Sequence, residues 1–88
     1  MLAAKTASAQ ALRLYPNPAR TTVWLERPAS NSSATVELFD AVGKCQWRGE
    51  WRGTQLAIPV QQLPAGLYLV RVLTANEMPF VERVMVEH

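Results

Sequence analysis

Histidine and cysteine are almost missing from this sequence. Its 88 residues hold one of each, Cys45 and the terminal His88. A single cysteine cannot close a disulfide within the chain, and one cysteine with one histidine cannot fill a Cys/His zinc site. A Ser/His/Asp or Cys/His catalytic set would have to recruit His88 from the chain end. Charge is thin as well. Charged residues make up 18%, with 9 basic and 7 acidic side chains, a net +2 and no run of one sign. That balance argues against an electrostatically driven nucleic-acid or membrane-surface role. No run of 18 apolar residues occurs, and the opening residues lack the apolar core of a signal peptide. No catalytic residue, cofactor site or metal site is expected.

What is present is apolar. Hydrophobic residues reach 49%, and Leu, Ile, Val and Phe alone number 22. That is enough for one ordered domain with a modest core, since a chain of this length buries about 60–65% of its unfolded surface. Residues 1–10, MLAAKTASAQ, are small and polar without a period, and read as a linker or tail, a short helix being the alternative.

From Ala11 to His88 the pattern is period-2 alternation in short runs separated by turn residues. Seven runs are expected as strands: Ala11–Tyr15, Thr21–Arg27, Ala34–Asp40, Lys44–Trp51, Gln55–Pro59, Leu67–Thr74 and Pro79–Glu87. Pro16-Asn17-Pro18 ends the first. Asp40-Ala41-Val42-Gly43 reads as a hairpin turn, Asn76-Glu77 and Pro64-Ala65-Gly66 as turns, and Val60-Gln61-Gln62-Leu63 as a short link, one helical turn being an option. Short strands at spacings of about 8–12 residues predict an all-β, immunoglobulin-like sandwich of about seven antiparallel strands. The sixth run is apolar on both faces, Tyr68/Val70/Val72 and Leu67/Leu69/Leu73. That marks a central strand with one face less well covered.

The ordered motifs Leu14-Tyr15-Pro16-Asn17-Pro18-Ala19, Val36-Glu37-Leu38-Phe39-Asp40-Ala41-Val42-Gly43-Lys44, Leu63-Pro64-Ala65-Gly66-Leu67-Tyr68 and Glu82-Arg83-Val84-Met85-Val86 carry a resemblance. Over residues 12–87 the chain closely resembles the type A C-terminal sorting domain of the type IX secretion system. The resemblance implies a non-catalytic secretion signal at the end of a larger exported cargo protein. Its implied partners are the N-terminal cargo domain of the parent, an outer-membrane β-barrel shuttle, the translocon, and a sortase that removes the domain. The implied itinerary is periplasm in transit, then cell surface or medium. Tyr15, Pro16, Asn17 and Pro18 match the opening motif, Gly66 and Tyr68 the Gly-x-Tyr element, and Arg83, Val84 and Val86 the final strand. The family often closes on Lys-x-x-x-Lys, and here Glu87 stands at the second basic position. Cleavage is expected upstream of the first strand, within or before residues 1–11.

Each feature also has a structural reading. Pro16-Asn17-Pro18 serves as a stiff corner, with Asn17 bonding nearby backbone, ahead of its reading as a recognition epitope. Gly66 is read as a turn glycine, and Tyr68 as a core ring with its hydroxyl on a backbone partner. Trp47 and Trp51 share a parity with Cys45 and are read as core or sheet cover. Trp24 is offset from Val23 and Leu25 and should be partly exposed. Cys45, lacking a nearby base, is read as a buried small hydrophobe. Asn31-Ser32-Ser33 fits a glycosylation sequon but reads as a polar loop. Glu37, Asp40 and Glu82 are read as solvated strand ends and outer faces rather than an acid/base set.

In an immunoglobulin-like order the third, sixth and seventh strands are neighbours. Their outward parity then presents Phe39, Leu69, Val81 and Met85, flanked by Glu37, Arg71 and Arg83. So apolar an outer face is a candidate partner surface, for the secretion machinery or a second copy of the chain. The terminal strand, if an edge, also invites strand addition or exchange. A second reading of the whole is an adhesive or carbohydrate-binding module of a secreted enzyme, using Trp24 and Trp51.

Overall fold

A computed structural model describes residues 12–28, 32–75 and 77–88. The tail at 1–10, the start of the first run at Ala11, Asn31 of the sequon and Asn76 of the last turn lie outside these residues.

Seven strands form among the described residues, and no helix: β1 (Arg13–Tyr15), β2 (Thr22–Glu26), β3 (Ala34–Phe39), β4 (Cys45–Trp51), β5 (Gln55–Pro59), β6 (Gly66–Leu73) and β7 (Phe80–Val86). Each lies within about a residue or two of an expected run. All ladder pairs are antiparallel, in a three-stranded sheet ordered β1-β2-β5 and a four-stranded sheet ordered β4-β3-β6-β7. The two sheets make a sandwich, and β3, β6 and β7 are consecutive neighbours as the immunoglobulin-like order requires. Strand β6 is central, which accounts for its apolar residues on both faces.

The core is one alternate row per strand, because successive side chains point to opposite faces. Val23 and Leu25 of β2 and Ile58 of β5 meet Val36 and Leu38 of β3, Val70 of β6, and Val84 and Val86 of β7, all essentially inaccessible. Each such side chain contributes roughly 1.5–3 kcal/mol by leaving water. Trp51 is the largest fully buried side chain. The Arg27 guanidinium lies 4.4 Å from its ring centre and donates to Gly53 O (2.8 Å), Ser32 O (2.9 Å) and Trp51 O (3.3 Å). No described group accepts the Trp51 Nε1–H.

Gly43, at φ 91°, closes the β3–β4 hairpin, where Gly43 N donates to Asp40 O at 3.0 Å. Asp40 Oδ1 accepts from Val42 N and Lys44 N at 3.0 and 2.9 Å, and these amides, Lys44 first, hold its carboxyl below the usual carboxylate range. The 60–63 link is a hydrogen-bonded turn, Leu63 N to Val60 O at 3.0 Å, and not a helical turn.

Two side chains depart from the sequence reading. Cys45 is exposed. The register shifts between Leu38, opposite Trp47, and Phe39, opposite Cys45. This bulge takes Cys45 off the core parity that it shares in sequence with Trp47 and Trp51. Glu37 is buried at 8% exposure, not solvated, because arginines on both neighbouring strands reach over it. Trp51 is sealed in the core, in line with its reading as core or sheet cover, which removes it from the sugar-binding surface of the alternative reading. Trp47 is half-buried as sheet cover, and Trp24 is partly exposed, both as expected.

Candidate functional site

The opening motif and the closing strand meet. Tyr15-Pro16 and Asn17-Pro18 are both cis peptide bonds, and the chain turns at this corner onto the outer edge of β7. Asn17 Nδ2 donates to Arg83 O at 3.0 Å, and Met85 N donates to Asn17 Oδ1 at 3.0 Å. Two residues on, Ala19 pairs with Val86 as a parallel bridge: Ala19 N donates to Met85 O (2.8 Å) and Glu87 N donates to Ala19 O (2.9 Å). Ala19 itself is fully buried. The Asn17 side chain therefore serves backbone on the far side of the sequence rather than nearby backbone. The motif occupies the C-terminal half of an edge that would otherwise present unpaired backbone groups.

Each matched motif residue has a definite place. Tyr15 Oη donates to Glu26 Oε2 at 2.7 Å, which raises the phenol pKa and lowers that of the carboxyl. Pro16, Asn17 and Pro18 are exposed at the corner. Gly66 opens β6 at φ 153°, opposite Val86. Two residues later Tyr68 is buried with its hydroxyl donating to Pro64 O at 2.6 Å, and burial pushes its pKa up. In β7, Val84 and Val86 are core residues, while the Arg83 side chain is exposed and its carbonyl receives Asn17.

The outer face of the four-stranded sheet gathers the expected partner residues. Register places Leu67 beside Met85, Leu69 between Phe39 and Arg83, and Arg71 between Glu37 and Val81. Val81 is 52% exposed, Met85 41%, Leu67 40% and Leu69 38%. Arg71 donates from Nε and Nη2 to Glu37 Oε1 at 2.9 and 2.6 Å, and its guanidinium lies 5.0 Å from the Phe39 ring centre. Arg48 Nε is 3.9 Å from Glu37 Oε2. Glu37 is thus a covered anchor for Arg71 in the middle of the face, and not a flank. Leu67 has the alternation of Leu69 but was not among the residues singled out for this surface. Glu82, opposite Val70, is an exposed charge on the inward parity of an edge strand, a placement that discourages edge pairing.

Sequence reasoning gave Ala19 and His88 no role. Ala19 closes the opening motif, and only its small size hints at a close backbone approach. His88 Nε2 lies 2.7 Å from Leu63 O, a contact to which no sequence signal points. Among the described residues, no three His, Cys, Asp or Glu side chains are grouped so as to hold a metal ion.

A small sandwich that spends its motif residues on joining its two ends and leaves one sheet face apolar has the build of a recognition module. The family model for the secretion system C-terminal sorting domain matches residues 13–87, and the chain belongs to that family. It is a type IX secretion sorting signal, a family not known for catalysis, and marks export across the outer membrane to the surface or medium. No curated protein matches the chain.

Proposed function

We propose that this chain is the removable C-terminal address of a larger cargo protein. The folded domain passes from the periplasm to an outer-membrane β-barrel shuttle and the translocon, and the system's sortase cuts upstream of β1. The carrying observation is the Asn17–β7 junction, with Met85 N bonded to Asn17 Oδ1 at 3.0 Å. It makes the opening motif and the closing strand one folded unit, so the machinery reads a folded domain rather than a linear tail. The docking surface is the outer face bearing Phe39, Leu69, Arg71, Val81 and Met85. Exposed apolar side chains on β6 and β7, next to half-buried Phe39 of β3 with an arginine fixed over its ring, suit a partner that is apolar with an acidic rim.

A reporter that reaches the periplasm by its own signal peptide and carries residues 1–88 at its C-terminus tests this reading. In a host with a working type IX system it should appear at the surface or in the medium without the domain. Retention of a folded fusion in the periplasm would overturn the proposal.

A further inference from the structure

The three-stranded sheet has an outer face of its own, which the proposed docking surface does not include. Register sets out its rows. Arg13, Glu26 and Gln55 are aligned across β1, β2 and β5, and Tyr15, Trp24 and Ala57 form the next row. Thr22 and Pro59 follow. Trp24 is 38% exposed, although core rows on either side of it in sequence are sealed. Directly opposite it on β5 stands the small, exposed Ala57.

The polar row beside the indole is held in place. Glu26 Oε2 accepts from Tyr15 Oη at 2.7 Å and from Gln55 Nε2 at 2.9 Å, and Arg13 Nη1 is 3.6 Å from Oε1. With its Nε2 donating to Glu26, Gln55 keeps its carbonyl oxygen as an acceptor. The same donors keep Glu26 ionised by lowering its pKa, the tyrosine hydroxyl first. An open groove of about 400 Å³ begins at this row, lined by Arg13, Glu26, Arg27, Pro28, Thr54 and Gln55. Arg27 is committed to three carbonyls and stiffens the groove wall.

A flat apolar ring next to fixed hydrogen-bonding groups matches a particular ligand shape. Trp24 and Glu26 are two residues apart on one face, about 7 Å along the strand. That distance suits a sugar ring stacked on the indole with its hydroxyls reaching the Glu26–Gln55 row. The apolar C–H face of a pyranose lies on an aromatic ring, and its equatorial hydroxyls need in-plane acceptors and donors. The charge pattern selects further. Arg13 and Glu26 offset each other, and Arg27 is committed to three carbonyls, so no uncommitted charge is left to hold an ionic ligand.

We propose that this face binds neutral hexopyranose chains, with one ring stacked on Trp24 and its hydroxyls held by Glu26 and Gln55. The site lies on the other sheet from the proposed export surface, so either reading can fail alone.

The test is an amide chemical-shift titration of the 88-residue protein with cellohexaose and, separately, with mannohexaose. At least one should give saturable shifts confined to β1, β2, β5 and the 52–55 turn, with a dissociation constant on the order of 1 mM. Trp24→Ala should weaken binding about tenfold or more, while Trp24→Phe, which keeps a ring and spares the fold, should stay within about threefold of wild type. Glu26→Gln should weaken it severalfold, and Leu69→Ser should leave it unchanged. No saturable shift with either sugar up to about 20 mM overturns the proposal, as does equal binding by a folded Trp24→Ala protein.

Discussion

The side chain of Asn17 and the backbone of Met85, 68 residues apart, are joined by a 3.0 Å hydrogen bond from Met85 N to Asn17 Oδ1. With the companion bond from Asn17 Nδ2 to Arg83 O, one amide satisfies two groups on the open edge of the last strand. Asn17→Ala should lower unfolding stability by about 1–2 kcal/mol, two partly exposed hydrogen bonds at roughly 0.5–1.5 kcal/mol each with the lower range weighted. Urea denaturation measures the loss, and faster amide exchange at Met85 locates it. Unchanged exchange at Met85 would contradict the junction.

Tyr68→Phe removes only the 2.6 Å bond to Pro64 O and should cost about 1 kcal/mol. Tyr68→Ala also empties a core position and should cost about 3–5 kcal/mol, the range for buried aromatic truncations. The gap between the two variants in a denaturant midpoint comparison reports how much of the Gly-x-Tyr element is packing.

Gly49 is shielded by Trp47: a Cβ there would lie 2.6 Å from the indole Cη2 atom. Gly49→Ala should therefore displace the Trp47 ring and red-shift its emission, and destabilise the fold by about 1–3 kcal/mol, as overpacking does. In a Trp47→Ala background the same glycine change should be nearly silent. A double-mutant cycle with no coupling between the two sites would count against this packing.

Acid should weaken the fold through Glu26 and Asp40. Both carboxyls have pKa values lowered in the folded state, by the Tyr15 hydroxyl and by the Lys44 amide respectively, as the largest causes. A lowered folded pKa gives stability that is present above the ordinary carboxylate range and is lost as pH falls through the folded value. Tyr15 has the opposite sign: its raised pKa gives stability below the ordinary tyrosine range that is lost at higher alkaline pH. Thermal midpoints across pH 2–5 should fall for wild type and fall less steeply for Glu26→Gln with Asp40→Asn.

Leu69→Ser with Met85→Ser alters two exposed side chains on the outer face and spares the core row of Tyr68, Val70, Val84 and Val86. Thermal midpoint should change by only a few degrees, since exposed changes cost about 0.5 kcal/mol each. Export of the reporter fusion should be lost. Normal export of the folded double variant would remove this face as the docking surface.

The strand list was legible because its signals are local. Val23/Leu25, Val36/Leu38 and Tyr68/Val70/Val72 alternate strictly, and Gly43 marks a turn by its backbone freedom. The apolar outer row of β6 was legible for the same reason. The burial of Glu37 was not, because its cause is Arg71 on β6, 34 residues away in sequence, and Arg48 across β4. Cys45 was misread because a bulge changes facing without changing sequence alternation.

The sequence by itself determined the seven alternating segments, their turns and the ordered motifs that identify the family, since each is written in neighbouring residues. Only the tertiary structure decided that Asn17 and Ala19 bind β7, that Glu37 lies under two arginines, and that Gln55 of β5 stands beside Glu26 and Trp24. These depend on which strands pair and in what register, and a local period of two fixes a side chain's face but not its neighbour.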